Sequence, residues 1–451
     1  LLPPDLRDWV PEDDLVHFVI EAVNSLPGER FRFNLRGSGS AQYPPSMMLT
    51  LLVYCYANGI FSGRRIERAT HRDIAVRYLT GDTHPDHDTV ATFRRENFEV
   101  VASCFVRVLE LAREMRLLKV GTVSVDGTKL KANASKNRNV RYDRAGELVE
   151  QLEGEVRELM EQAERTDRQD EVDGQSLPEE ISRRNDLKRE GKAKGRHIKE
   201  PDEAPRSEEQ ENLTDPDSRL MCKSKRSGYE QAHNAQAAVD ANGSQLVLSA
   251  RVSQCSSDRN ELAPTVNAIP ANIGNPCVVL ADNGYLNEKQ VRKLEGDGET
   301  PAMEVLVSVH AEAKQLRRRH DFRPQSAETK EPPQIRSAFV LEMKAKMEQD
   351  EARRKYRLRK QTAGPVFGTI KKWMGFTQFQ LRGLDKVDGE WKLLTLAYNV
   401  KRLWAMKQEA KKPPSRKRLA KRIATGVGQA ACCLLKTVLC SAKPTSYQTF
   451  A

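Results

Sequence analysis

The spacing of apolar and polar positions is helical from the start of the chain to about residue 117. Acidic residues precede an apolar series from Leu15 to Val23 at intervals of three and four, which predicts a first helix. The same spacing predicts helices over 47–56, 63–70 and 72–79 and a long one over 88–117. Short helices joined by tight turns are typical of helix-turn-helix modules. Residues 1–117 are therefore predicted to be an all-α N-terminal domain.

The pattern changes at Lys119 from helical to extended. Small and β-branched residues alternate from Val120 to Val125, directly before Asp126. Further strand-like runs are found at 236–240, 245–253, 277–281 and 304–309, and helical runs at 261–268, 287–294, 338–372 and 393–404. Strands separated by helices predict a core that is an α/β sheet with helical crossovers. We assign residues 118–140 and 212–405 to this core.

A highly charged segment separates the first predicted strand from the next. Half of the residues from 141 to 210 are charged, and only Tyr142 is aromatic. Apolar residues spaced by four and three predict one helical arm over 147–165. The other residues have the composition of a disordered chain. Residues 141–211 are therefore predicted to be a charged insertion, partly helical and partly disordered.

The net charge of +11 is concentrated near the C-terminus. Residues 407–422 contain eight cations and a single acid, Glu409. Such a basic tail, assigned here to 406–451, is expected where the partner is a polyanion such as DNA. A tail that only increases solubility is the alternative.

Cysteine spacing and hydropathy restrict the class of protein. The eight cysteines form no CxxC pair, which argues against a zinc ribbon and against a disulfide scaffold. No signal peptide begins the sequence, and the apolar run at 430–440 is too short to cross a bilayer. These features predict a soluble cytoplasmic protein.

Two aspartates are candidates for metal binding. Asp126 lies in an apolar strand, where a carboxylate is costly unless it is paired or bound to a cation. Asp282 ends another buried strand just before a helix. Carboxylates that converge from neighbouring strands can hold the divalent cations used in phosphoryl transfer. A turn or cap role for each aspartate is the alternative, because spacing alone does not establish convergence.

Arginines are frequent between residues 62 and 95. They are candidates for phosphate contacts with DNA, and a solvated charged face is the alternative. The predicted DNA-binding residues of this region are Arg64, Arg65, Arg94 and Arg95.

A series of motifs, in this order, resembles the DDE transposases of bacterial insertion sequences, in the branch with an InsH-like N-terminal domain. The resemblance extends to about residue 405. Its most informative segments are Ser62-Gly63-Arg64-Arg65, Pro85-Asp86-His87-Asp88-Thr89, Val125-Asp126-Gly127-Thr128-Lys129 and Ala281-Asp282-Asn283-Gly284-Tyr285. The resemblance implies an α/β RNase H-like core, a mixed sheet with flanking helices, in which Asp126 and Asp282 are the first and second metal-binding acids. It also implies Mg²⁺ or Mn²⁺ as cofactor and location at the nucleoid. The implied partners are the terminal inverted repeats and target DNA, with a homo-oligomer formed on DNA.

The third acid of this family is a Glu before Pro-Val-Phe-Gly, and Gly364 occupies that position here. Three nearby cations, Arg359, Lys360 and Lys371, are predicted to contact DNA phosphate. Two hypotheses follow: a transposase that cuts and joins DNA by metal-dependent phosphoryl transfer, or a catalytically impaired, transposase-derived DNA-binding protein. A helical scaffold built on the insertion is a third, which would leave the strand acids unexplained.

Overall fold

The computed structural model describes residues 5–26, 42–141, 151, 153–161, 210–222, 228–296, 303–309 and 337–411. The chain divides into two compact units, Leu1–Arg402 and Leu403–Ala451. In the second unit, only the helical residues 403–411 are described. The sheet and the candidate site lie in the first unit.

Among the described residues, six α-helices form the N-terminal part, where the sequence predicted five. A short 3-10 helix, Leu6–Trp9, precedes α1 (Leu15–Asn24), α2 (Pro45–Ala57), α3 (Gly63–Arg72), α4 (Ile74–Thr80), α5 (His87–Glu96) and α6 (Phe98–Glu114). Aspartates begin three of them, because the side chains of Asp14, Asp73 and Asp86 accept backbone N–H groups of the first turn. Helix α2 is buried from Met48 to Ala57, since nearly all its residues are apolar.

The single long helix predicted over 88–117 is wrong. Asn97 divides it into α5 and α6, with φ −116° and ψ 31°, outside the helical region. The Asn97 side-chain amide donates to the Phe93 carbonyl, which satisfies a free acceptor at the end of α5. The apolar spacing continues across this break, so periodicity alone does not detect it.

The core is one mixed sheet. Its strands are β1 (Thr122–Lys131), β4 (Arg219–Cys222), β5 (Tyr229–Asp240), β6 (Val247–Ser253), β7 (Val278–Ala281) and β8 (Glu304–Val307), in the order β4-β5-β1-β7-β8, with β6 also paired to β5. Strand β5 is antiparallel to both β1 and β6, whereas β1, β7 and β8 are parallel. The predicted mixed sheet is therefore confirmed, with β1 and β5 longer than their apolar runs suggested.

The register between β1 and β7 positions the two candidate acids. Ser124 pairs with Leu280. Asp126 lies two residues after Ser124 on β1, and Asp282 lies two residues after Leu280, directly beyond the end of β7. Parallel neighbours present their carboxyl ends at the same edge of a sheet. Asp126 and Asp282 therefore lie side by side.

Helices cover the sheet. They are α7 (Leu262–Asn267), α8 (Glu288–Glu295), α9 (Ala338–Glu348), α10 (Asp350–Arg357), α11 (Ala363–Gly368) and α12 (Leu384–Lys411). The helical pattern predicted over 338–372, with an interruption at Gly364-Pro365, is divided instead by extended backbone at Gln349 and by a 3-10 turn, Leu358–Gln361, and Gly364 and Pro365 lie within α11. Pro365 lies in the first turn of α11, where its missing N–H has no helical partner to lose. A π-helix, Thr369–Trp373, follows.

The predicted insertion begins and ends at a pair of short strands. Strand β2 (Asn139–Arg141) pairs antiparallel with β3 (Gln210–Asn212), which joins the two points where the chain leaves and re-enters the core. Residues 153–161 are helical, within the predicted arm. Residues 142–150, 152 and 162–209 of the insertion and the tail from 412 lie outside the described residues. Among those described, no helix combines the length and apolar composition needed to cross a bilayer.

Candidate active site

Asp126 and Asp282 converge on one guanidinium group. The Nη2 atom of Arg359 lies 3.5 Å from Asp126 Oδ2 and 3.1 Å from Asp282 Oδ2. Arg359 belongs to the 3-10 turn between α10 and α11, so a helical segment distant in sequence completes the site. Its side chain is 20% exposed, compared with 25% for Asp126 and 42% for Asp282. The pair of carboxylates therefore already holds one positive charge.

The electrostatic environment disfavours ionised Asp126. Burial raises the pKa of the Asp126 carboxyl to about 6, Arg359 opposes the change, and the charges of Asp282 and Asp258 add to it. A carboxyl near other carboxylates keeps its proton more tightly unless a cation neutralises the group. The site is therefore short of positive charge even with Arg359 in place.

The pH dependence of the free energy of unfolding should reveal this shortage of positive charge. Because the folded-state pKa of Asp126, about 6, exceeds its ordinary value of 3.8, the folded protein binds this proton more tightly than the unfolded chain does. The resulting stabilisation is fully present below about pH 4 and is lost as the pH rises through 6. We expect metal-free Asp126→Asn to exceed the unmodified protein in free energy of unfolding by about 1–3 kcal/mol at pH 7.5. Urea unfolding at pH 4 and pH 7.5 measures this, and identical pH dependence in both proteins would contradict it.

A third carboxylate, Asp258, lies close to the pair and was not found from the sequence. Its Oδ1 atom accepts hydrogen bonds from the side-chain amides of Asn234, at 2.7 Å, and Gln236, at 2.8 Å. In the sequence, Asp258 could have been noticed only as an acid in the loop between the third predicted strand and the next predicted helix. Recognising it required the strand directions, because β6 runs in the same direction as β1 and ends at the same edge.

Two other side chains fix the edge of the sheet. The Tyr356 hydroxyl donates to the carbonyl of Ala281, at 3.1 Å, directly before Asp282. The Lys371 amine donates to the hydroxyl of Thr128, which lies two residues after Asp126 on β1. Successive odd or even positions of a strand share a face, so Lys371 lies on the same side of β1 as Asp126. The region 356–371 therefore contacts both acid-bearing strands.

Position 364 has no side chain but has room for one. Gly364 lies in the first turn of α11 and is exposed, and a Cβ added there would meet no atom within 4 Å. In the described part of the chain, no three His, Cys, Asp or Glu side chains are gathered closely enough to bind one metal ion. A carboxylate at 364 would therefore be compatible with the fold.

The predicted DNA-binding residues of the helical region differ in position. Arg64, Arg65 and Arg95 are exposed, whereas Arg94 is only 6% exposed. Its guanidinium donates to the hydroxyl of Tyr56, at 2.8 Å, and to the carbonyl of Phe61, at 3.1 Å. A buried guanidinium with these partners is inaccessible to a phosphate, so we leave Arg94 out of the proposed DNA-contacting set. Of the three cations near the site, Lys360 is exposed, and Arg359 and Lys371 are half-buried.

Comparison with protein-family models identifies two segments. Residues 4–96 match a transposase domain (DUF772), and residues 202–400 match a transposase DDE domain. The chain belongs to the DDE transposases of insertion-sequence type. No curated protein and no solved structure matched the chain. The predicted family is therefore confirmed, and DNA is the partner that the family implies.

The two matches include most of the predicted site of this transposase. Asp282, Gly364 and the cations of 359–371 lie in the second match, and the arginines of 64–95 lie in the first. Asp126 lies in neither, because the matches leave out residues 97–201. Its position beside Asp282 in the sheet is the observation that associates it with the site.

The residues present suit one divalent cation. DDE transposases generally use such ions, and Mg²⁺ is commonly bound by one or two carboxylates together with substrate phosphates. Asp126 and Asp282 supply two carboxylates that contact a common cationic atom. The donor set therefore fits one ion, and Gly364 supplies no ligand for a second.

Proposed function

We propose that this transposase binds the ends of an insertion sequence and cuts and joins DNA by metal-dependent phosphoryl transfer at Asp126 and Asp282. One observation supports this most strongly: carboxylates from two adjacent parallel strands contact the same guanidinium group. The pKa of Asp126 stays raised even with Arg359 in contact, so a further cation at these carboxylates would be favourable, which supports metal binding over a structural role. Mg²⁺ and Mn²⁺ are the proposed ions.

The residues around the acids have separate roles in this proposal. Asp126 and Asp282 would hold one divalent cation, which when bound would supply Lewis-acid chemistry, activating the attacking oxygen or stabilising the leaving one. Arg359 balances their charge, and its guanidinium can instead pair with a DNA phosphate when DNA binds. Lys371 is oriented by Thr128 near the acids, where its amine can position the DNA backbone. Positioning of this kind supplies much of the catalysis in phosphoryl transfer.

The arrangement of the elements supports an RNase H-like core. Strand β1 lies at the centre of a mixed sheet, with parallel strands on one side and antiparallel strands on the other. In the proposed organisation, residues 1–117 bind the element ends through Arg64, Arg65 and Arg95, and residues 118–140 and 212–405 form the catalytic core. Residues 141–211 and 406–451 are the insertion and the basic tail. We further propose a homo-oligomer on DNA, located at the nucleoid.

Thermal melting with Mn²⁺ tests the metal site. Binding to the folded state alone stabilises it by about 2.7 kcal/mol when the ion is at 100 times its Kd. We expect millimolar Mn²⁺ to raise the Tm of the full chain by a few degrees, and to leave the Asp126→Asn, Asp282→Asn double mutant unchanged. An equal rise in the double mutant would show that the ions bind elsewhere.

Binding to the terminal repeats tests the partner. A fragment with an inverted repeat that bounds the gene should bind more tightly than a shuffled fragment of equal length. Arg64→Ala with Arg65→Ala should weaken both and flatten the dependence of affinity on salt, because fewer counterions are released. Equal affinity of the unmodified protein for the two fragments would exclude recognition of the ends.

A further inference from the structure

Asp258 lies at the same edge of the sheet as the two candidate metal ligands. It follows β6, which runs parallel in direction to β1 and β7 although it pairs only with β5. Two buried amides, from Asn234 and Gln236 on β5, hold its Oδ1 atom. The carboxylate is therefore fixed in orientation by groups on the central sheet.

Distances from the glycines beside both acids show how close Asp258 lies to them. A Cβ added to Gly127, the residue after Asp126, would lie 2.8 Å from Asp258 Oδ1. A Cβ added to Gly284, two residues after Asp282, would lie 3.7 Å from Asp258 Oδ2. The third carboxylate thus lies between the backbone segments that carry the other two.

The charge of Asp258 lies beside the charges of the other two acids, because its carboxylate is next to the glycines that follow them. Arg359 shows that a positive group is attracted to this edge of the sheet. Fixing a third negative charge beside the other two is costly unless a cation neutralises the group.

We propose that Asp258 is a third acid of the site, which holds the water shell of the cation bound by Asp126 and Asp282 and thereby increases its affinity. The role is that of a positioning residue, because among the residues that the structure describes no three such side chains can bind one ion directly. Mg²⁺ keeps several of its waters in proteins, and those waters need acceptors. This inference rests on the proposed function of the Asp126 and Asp282 pair.

Titration calorimetry of the full chain with Mn²⁺, in the absence of DNA, tests the role. In Asp258→Asn, the side-chain oxygen can still accept from Asn234 and Gln236 while the charge is removed. Because outer-shell partners typically change metal affinity 10–100-fold, we expect the Kd for Mn²⁺ to rise about tenfold. The Tm of the metal-free protein should not fall, since a repulsion is removed. Asp258→Ser, which retains a hydroxyl acceptor, is the second variant if Asp258→Asn does not fold.

Asp217→Asn is the matched control. Asp217 also accepts a side-chain amide, from Gln254, and a backbone N–H, from Leu384, each at 2.8 Å. Its described partners include neither of the two metal-binding acids nor Arg359, so its loss should reduce stability and leave the Kd for Mn²⁺ unchanged.

The outcomes separate the two proposals. Unchanged Mn²⁺ affinity in Asp258→Asn, with binding abolished in the Asp126→Asn, Asp282→Asn double mutant, would overturn the role of Asp258 and leave the proposed function intact. Unchanged affinity in the double mutant would overturn both. A fall in metal-free Tm large enough to account for the weaker binding would mean that Asp258 is structural.

Discussion

Gly364→Glu is expected to increase Mg²⁺-dependent nicking at the element ends at least tenfold. By the resemblance to the family, position 364 is proposed to be that of the third acid, and it lies seven residues before Lys371. The fold has open space there, and each 1.4 kcal/mol of restored transition-state stabilisation is about tenfold in rate. The unmodified protein should bind the same DNA and nick it very slowly. A labelled end fragment, incubated with each variant, measures both.

Gly368→Glu is the matched control for this prediction. Gly368 lies one turn later on α11, and a Cβ there also meets nothing within 4 Å. Both substitutions replace a helical Gly by Glu, so they should improve helix formation to a similar extent. Only Gly364→Glu should raise the rate, and adding Asp126→Asn should abolish the gain. Rapid nicking by the unmodified protein that is lost in Asp126→Asn would show that another acid suffices.

Arg94→Leu is expected to lower the free energy of unfolding by about 3–5 kcal/mol, because it leaves a buried charge without its partner. Arg94 Nη1 lies 3.9 Å from Glu390 Oε1, and both side chains are buried. Glu390 also accepts hydrogen bonds from the Tyr56 hydroxyl and from two backbone N–H groups. Urea unfolding measures the loss.

Two further variants distinguish loss of the ion pair between Arg94 and Glu390 from loss of side-chain packing. Arg95→Ala removes an exposed neighbour and should change stability by less than about 0.5 kcal/mol. Adding Glu390→Gln to Arg94→Leu removes the orphaned charge, and the Gln amide can donate to the Tyr56 hydroxyl, so more than half of the loss should return. If Arg94→Leu retains full stability and loses DNA affinity, Arg94 acts at the DNA surface after all.

The sequence predicted the helical N-terminal part, the strands of the described core sheet other than β4, and the two aspartates that the structure brings together. These features depend on local periodicity and on an aspartate in an apolar strand, both of which are visible without the fold. The family could be inferred from the order of motifs such as Val125-Asp126-Gly127-Thr128-Lys129, and Gly364 was found by its place in one of them. The helix break at Asn97 was missed, because the apolar spacing continues through it.

Only the tertiary structure decided which charges meet. Arg359 is more than two hundred residues from Asp126 in the chain, yet it contacts both acids, because the turn after α10 is packed against the ends of β1 and β7. Arg94 and Arg95 are adjacent in sequence, and one is buried against Glu390 while the other is exposed. Asp258 becomes visible as a third acid only when the direction of β6 is known. Charge and residue type are local properties, whereas burial and pairing depend on contacts between distant segments, which sequence spacing does not encode.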